Sequence, residues 1–460
     1  MTALLAACFA FQLNASMLSP ALALMETQLG ATTAEIGLTQ TAFFTSAALF
    51  SLFLPRLGDM MGRRKLLAAM MLGTAVGCVI SALAPNVGLL FAGRVIQGIA
   101  GPTVPLCLIM LRVAVTDAKK YGTLMGVVTA VNGGIAGVDA IAGGWLAQNY
   151  GFRSIFWVMA VVAVIAFAAV RFLTDESRVG NPQPMDWRGV ALLVVAVGCV
   201  LTAFNEMGKL AAAPWGLIAI LIVVGVVTFG VFWKSQDASP NPLIPTKYLR
   251  ARQTWALLGT TVLTMTGVFA VMNGIVPALA QDMEVGAGMN ADVAALFTLT
   301  PYALAGLFMG PVAGRLAGTH GYRAVLRVGL IGTVIGLAAI LLAVDNPSRM
   351  MLLAVSVFVG ITYAGMSNIM LNGLGIVLSP ADNPGYLPGL NAGAFNLGAG
   401  LSFAALFAAQ TALGASDPVA GYRGAILVGA AILALAFLMS LLIPRPKDEV
   451  AEAAEAAASA

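Results

Sequence analysis

Predominantly apolar stretches of about 20 residues or more recur from one end of the chain to the other. That pattern rules out a water-soluble core and leaves a polytopic, all-α membrane protein. Composition agrees. Of 460 residues, 60% are apolar and 10% charged, with mean hydropathy +0.92; a soluble domain carries roughly 25% charged residues. The stretches fall at 3–28, 35–55, 66–84, 88–111, 121–147, 154–173, 189–206, 214–233, 255–281, 291–313, 324–343, 350–378, 386–412 and 424–443. Fourteen transmembrane helices are therefore expected, and an even count places both termini on one side.

Charge supplies an independent check. The net charge is +4, but the basic residues cluster in alternate gaps: Arg56, Arg63, Arg64 and Lys65; Arg112, Lys119 and Lys120; Arg171, Arg178 and Arg188; Lys234, Lys247, Arg250 and Arg252; Arg315, Arg323 and Arg327; Arg445 and Lys447. The other gaps hold Arg153, Lys209, Arg349 and Arg423. By the positive-inside rule the clustered side is cytoplasmic, so both termini are expected in the cytoplasm and the chain in the cell membrane. Short basic loops between apolar helices need no nucleic-acid partner. The N-terminal apolar run ends in a signal-like Ala21-Leu22-Ala23 but lacks a positive n-region, so it reads as a first membrane helix. Asn14-Ala15-Ser16 matches a glycosylation sequon inside that helix, where it carries no meaning.

Two polar connections are long. TDESRVGNPQPMDWRG (174–189) and KSQDASPNPLIPTKYLRARQ (234–253) bracket the helices at 189–206 and 214–233. The expected organisation is an N-terminal six-helix half (1–173), linkers with an inserted helix pair (174–253), a C-terminal six-helix half (254–443) and an acidic, Ala-rich cytoplasmic tail (444–460). An internal repeat supports two halves. PRLGDMMGRRKLL (55–67) and GRLAGTHGYRAVL (314–326) share Arg56/Arg315, Leu57/Leu316, Gly62/Gly321, Arg64/Arg323 and Leu67/Leu326. Repeated halves with a substrate site between them are a transporter architecture.

Catalytic and metal chemistry find no support. Cys8, Cys78, Cys107 and Cys199 stand apart in apolar helices, without metal-ligand spacing, and read as packing residues. His320 is the one histidine, too few for a His-based metal site. No HExxH, GxSxG or GxxxxGK[ST] motif occurs. An enzyme, a cofactor-dependent protein and an ATP-driven pump are all disfavoured.

Three motifs resemble those of the major facilitator superfamily, more narrowly its fourteen-helix drug/proton antiporter branch. PRLGDMMGRRKLL is similar to the family's loop after the second helix, with Leu57, Asp59, Gly62, Arg63 and Arg64 matching, Pro55 in place of Gly and Met60 in place of Arg. In the family this loop is a cytoplasmic latch, its Asp held by a helix end and an Arg. LFAGRVIQGIAG (90–101) is similar to the fourth-helix motif. Leu90, Arg94, Gln97 and Gly98 match, and Ala100 replaces the last Gly. Gly98 and Gly101 suit close helix packing. In the fifth helix Gly143 and Gly144 match the end of the antiporter motif, while Asp139 and Ala140 stand where Gly-Pro is expected. MDWRG (185–189) and NPLIPTKYL (241–249) resemble weaker signs of the branch, and the first helix reads Leu13-Asn14-Ala15-Ser16 where such exporters often have Leu-Asp-x-Thr. The resemblance implies the major facilitator fold, alternating access, a monomer, and proton-coupled export of a small organic molecule.

Arg94 and Asp139 are the clear ionisable residues well inside the expected helices, and such residues are functional candidates. By helix rise Arg94 lies roughly 9 Å and Asp139 roughly 12 Å from the outer ends of adjacent antiparallel helices. An ion pair is expected. A carboxylate beside a guanidinium releases its proton and one left alone in low dielectric holds it, so a pair that opens and closes would couple proton uptake to transport. A static pair and direct recognition of a charged substrate are the alternatives. The second half offers amides and phenols instead: Asn273, Tyr302, Tyr363, Asn368, Asn372, Asn391 and Asn396. With Gln97, Asn14 and Gln40, and with Gln12, these form a candidate substrate cavity for a neutral or weakly charged molecule. The leading expectation is drug or metabolite efflux by proton antiport. The rival is a proton symporter that takes up a metabolite, favoured by the incomplete antiporter motif and the missing acid in the first helix. A non-transporting sensor would keep the fold but tolerate neutral residues at Asp139 and Arg94.

Overall fold

The computed structural model describes residues 1–115, 124, 128, 136–177, 184–207, 213–243, 245–379 and 386–446. Lys119, Lys120, Arg178, Lys209 and Lys447, part of the expected fifth helix and the acidic end of the tail lie outside them. Among the described residues twelve helices are long and apolar enough to cross a membrane, so the chain is a multi-pass helical membrane protein. The expected count of fourteen is not reached. The fifth expected helix is described over Ala136–Tyr150, shorter than a span. Trp187–Met207 contributes a shorter apolar stretch, Trp187–Val200.

Helix starts follow local chemistry. Thr32 and Glu35 form a reciprocal capping box before Thr33–Met61. Asn86 caps the Leu89 amide at 3.0 Å before Val87–Gln97, and Asp417 caps Val419 at 2.9 Å before Pro418–Ser440.

Three of the helix interruptions follow proline. A proline has no N–H to donate four residues back. Pro20 leaves the Ser16 carbonyl without its helical donor, and the first helix breaks after Thr2–Ser16, passes through a 3₁₀ turn at Ser19–Ala21 and resumes as Leu22–Leu29. Pro102 does the same to Gly98, where the fourth span changes to 3₁₀ over Gly98–Ala100. Pro277 does it to Asn273, which sits in a π turn at Val271–Ile275. Each irregularity sets polar groups into the middle of the bundle.

Glycines set the closest helix approaches. A Cβ on Gly101 would stand 2.2 Å from the Ala47 carbonyl oxygen, and one on Gly98 would stand 2.5 Å from the Ser46 side chain. On Gly143 it would stand 2.1 Å from the Met17 oxygen, at the break of the first helix, and on Gly144 2.6 Å from the Ala291 oxygen. Gly143→Ala is therefore expected to lower the detergent melting temperature by several degrees, since backbone cannot yield to it. Gly230→Ala, where nothing lies within 4 Å, is expected to leave it unchanged. Melting curves of the two purified variants check this.

The helices Trp187–Met207 and Trp215–Ala238 pack on each other, Gly225 against Val200. They touch the bundle through Leu193 and Phe232 against Leu52, Tyr386 and Leu390. Trp215–Ala238 is otherwise open to its surroundings, with Ile220, Val223, Val226 and Val227 exposed, as suits lipid contact.

Candidate functional site

Arg94 is fully buried near the end of Val87–Gln97. Its Nη1 donates to Gln97 Oε1 at 2.7 Å and to the Asn14 carbonyl at 3.2 Å. Its Nη2 donates to Gln40 Oε1 at 2.9 Å. The guanidinium lies over the Phe43 ring, 4.2 Å from its centroid. Three helices thus converge on one cation through neutral oxygens and a ring face. A further layer fixes them: Gln97 Nε2 donates to Ser81 Oγ, Asn14 Nδ2 to the Ala10 carbonyl, and Cys78 Sγ to Asn14 Oδ1.

Asp139 is also buried, but the expected Arg94–Asp139 ion pair does not form. Among the described residues neither makes any ion pair. Ser16 Oγ donates to Asp139 Oδ2 at 2.5 Å, and Asp139 Oδ1 has no hydrogen-bond partner among the described residues. Ser16 itself is shared: its hydroxyl also lies 3.0 Å from the Gln12 carbonyl and accepts from Gln12 Nε2 at 2.9 Å. The reason is the broken first helix. Its last turn lies between the two charges and offers Asn14 to one and Ser16 to the other. Ser16, Phe43, Ser81 and Cys78 were not legible as site residues; for Ser16 the signal lay in Pro20, four positions on.

The second half supplies amides and rings. Asn273 Nδ2 donates to the Phe269 carbonyl at 3.0 Å. Asn391 accepts from Thr261 Oγ1 at 2.7 Å and donates to the Leu371 carbonyl, a structural junction rather than a free amide. Asn368 and Asn372 share a helix face but bond to each other, Asn372 being exposed. Asn396 is 8% exposed and hydrogen-bonds to none of the described residues. Tyr302 stacks on Tyr363 at 6.3 Å, and the Tyr363 hydroxyl meets Met265 Sδ.

A chain of aromatic rings joins Thr33–Met61 to Arg252–Ala270 and Tyr386–Leu413. Phe43 meets Phe44 at 4.9 Å, Phe44 stacks on Phe403 at 6.2 Å, Phe269 stands edge-on to both Phe44 and Phe403, and Phe403 meets Phe407. Phe407 and Gly274 line a cavity of about 200 Å³ whose polar rim includes Glu26, Asp282, Gln410 and Tyr422.

At the opposite face, Asp59 pairs with Arg63 at 2.8 Å, and Gly62 turns the chain with φ +107°. Arg64 donates from its amide to Glu176 and from its side chain to the Thr174 carbonyl, and the Arg63 amide meets the Ser177 carbonyl. The loop is thus held by the segment after the helix Arg153–Leu173. Arg56 donates to the Pro184, Asn241 and Pro242 carbonyls of both long linkers, and so ties the helix pair to the bundle.

A family model, the Major Facilitator Superfamily, matches residues 4–403 and, in a second match, 257–459. The chain belongs to this superfamily. A uridine/deoxyuridine transporter of Lactococcus lactis subsp. cremoris (strain MG1363) is 56% identical over 454 residues, covering 97% of this chain and 95% of that one. The puromycin resistance protein pur8 of Streptomyces alboniger is 32% identical over 193 residues, 41% of this chain and 38% of that protein. The fold is shared with the nucleoside transporter NupG, at a TM-score of 0.66 and 11% identity, over 96% of this chain and 98% of that one. The end-to-end likeness to a uridine/deoxyuridine transporter overturns the expectation of efflux and multidrug resistance.

Proposed function

We propose that this protein takes up pyrimidine nucleosides, uridine and deoxyuridine, together with protons. The observation that carries the reading is the 56% identity that runs the length of both chains. The chemistry of the site suits it. An uncharged nucleoside needs donors and acceptors rather than a counter-charge, and the site offers Gln12, Gln40, Asn273 and Asn396. The base is a flat ring, and the Phe44, Phe269 and Phe403 layer offers faces and edges to it. The cavity above Phe407 is the way in.

Asp139 carries the proton in this reading. Ionised, it accepts from Ser16. Once protonated it no longer needs that donor, and the Ser16 hydroxyl is free to turn to the Gln12 carbonyl. The first helix then feels the proton at its break, and Arg94 holds the neighbouring turn through Asn14. The fold is completed by Ala136–Tyr150 and Trp187–Met207 as two further membrane crossings, with six-helix halves at 1–173 and 254–443 flanking the pair. The chain works as a monomer in the cell membrane by alternating access, both termini inside and the Asp59, Gly62, Arg63 and Arg64 loop as a cytoplasmic latch.

Competition in proteoliposomes tests the substrate class. Uptake of labelled uridine is expected to fall with excess deoxyuridine and to be untouched by puromycin or methyl viologen. Competition by the two drugs and none by deoxyuridine would refute it.

A further inference from the structure

Arg94 is held by the side-chain amides of Gln97 and Gln40 and by the Asn14 main-chain carbonyl. Asn14 and Gln97 each place an amide nitrogen on a partner, the Ala10 carbonyl and Ser81 Oγ. Gln40 does not. Its Oε1 accepts from Arg94 at 2.9 Å, while its Nε2 is buried and bonds to none of the described residues. The orientation is enforced. A guanidinium has only donors, so the amide oxygen must face Arg94 and the two N–H bonds must point away. A buried donor without an acceptor is unfavourable, and native structures keep few of them.

The position of Gln40 says what could complete it. It lies four residues before Phe44 on Thr33–Met61, so the two share a helix face, and Phe44 belongs to the ring layer that joins this helix to Arg252–Ala270 and Tyr386–Leu413. A ligand lying on that layer would bring its edge to Gln40. The edge must carry an acceptor, because the one acceptor atom of the amide is already held by Arg94.

We propose that Gln40 Nε2 donates a hydrogen bond to a carbonyl oxygen of the pyrimidine base, and that Arg94 fixes the amide in the donating orientation. This rests on the nucleoside reading above and adds the atom that is read. It makes the site selective for a base with a carbonyl oxygen at that edge.

The test uses the full chain in proteoliposomes, with labelled uridine and unlabelled uridine, 2-thiouridine and 4-thiouridine as competitors. Sulfur is a weak acceptor. One of the two thio compounds is expected to compete roughly ten- to a hundredfold less well than uridine, and the wild type alone decides this. Gln40→Glu keeps the contact with Arg94 through an ion pair but removes the N–H donor. It is expected to raise the uridine KM by a similar factor and to make uridine and the thio compounds equal. Equal competition by all three in the wild type overturns the inference, as does a Gln40→Glu protein that transports with unchanged KM and discrimination; either leaves the nucleoside reading standing. A wild type that carries no nucleoside overturns both.

Discussion

Asp139→Asn is expected to abolish uridine accumulation driven by a pH gradient while leaving uridine–uridine exchange across the membrane at most of the wild-type rate. The side chains are nearly isosteric, and the asparagine oxygen still accepts from Ser16, so the last turn of the first helix keeps its contact. What is lost is the exchangeable proton. A buried carboxylate with no ion-pair partner among the described residues carries a desolvation cost, and asparagine removes it while keeping the shape and the Ser16 contact, so the variant is expected to melt at or above the wild-type temperature. Two assays on one preparation check it: gradient-driven uptake and counterflow. If gradient-driven uptake survives, Asp139 is structural and the proton travels elsewhere. If counterflow is lost as well, Asp139 belongs to the substrate site.

Arg94→Ala is expected to cost roughly 3–5 kcal/mol of stability, through stranded acceptors and a cavity, and to abolish transport. It strands three acceptors, Gln40 Oε1, Gln97 Oε1 and the Asn14 carbonyl, and empties the space above Phe43. Asn14, Gln40 and Gln97 are all buried. Arg94→Lys keeps the charge but offers one compact donor group in place of a fork, and is expected to fall between. Thermal unfolding and transport of the three proteins give the order wild type, Arg94→Lys, Arg94→Ala. An Arg94→Ala protein with wild-type melting would mean that the network contributes nothing to the fold.

The sequence made some of this legible and hid the rest for definable reasons. Arg94 and Asp139 stood out because charges inside apolar helices are rare, and both are buried as that reading requires. Their pairing failed because depth counted along a helix gives neither the rotation of the side chain nor what lies between two helices. The last turn before the break, Asn14–Ser16, lies there, and the cause of the break, Pro20, was visible as a residue but not as a break that places Ser16 beside Asp139. The same rule, four residues before a proline, would have picked out Asn273 as irregular. The export expectation came from motif likeness. The departures from those motifs were the better guide: Asp139-Ala140 in place of Gly-Pro, and Asn14 in place of an acid, favoured the uptake alternative. Gln40 was a candidate by residue type alone, whereas its donor orientation depends on Arg94 and could not be read from sequence.

The most direct test of nucleoside uptake is the movement of labelled uridine into proteoliposomes of fixed orientation whose lumen is alkaline relative to the medium. Accumulation above the external concentration, collapsed by a protonophore, is the expected result. Uridine that equilibrates without accumulating, or that is driven out as protons enter, would contradict proton-coupled uptake.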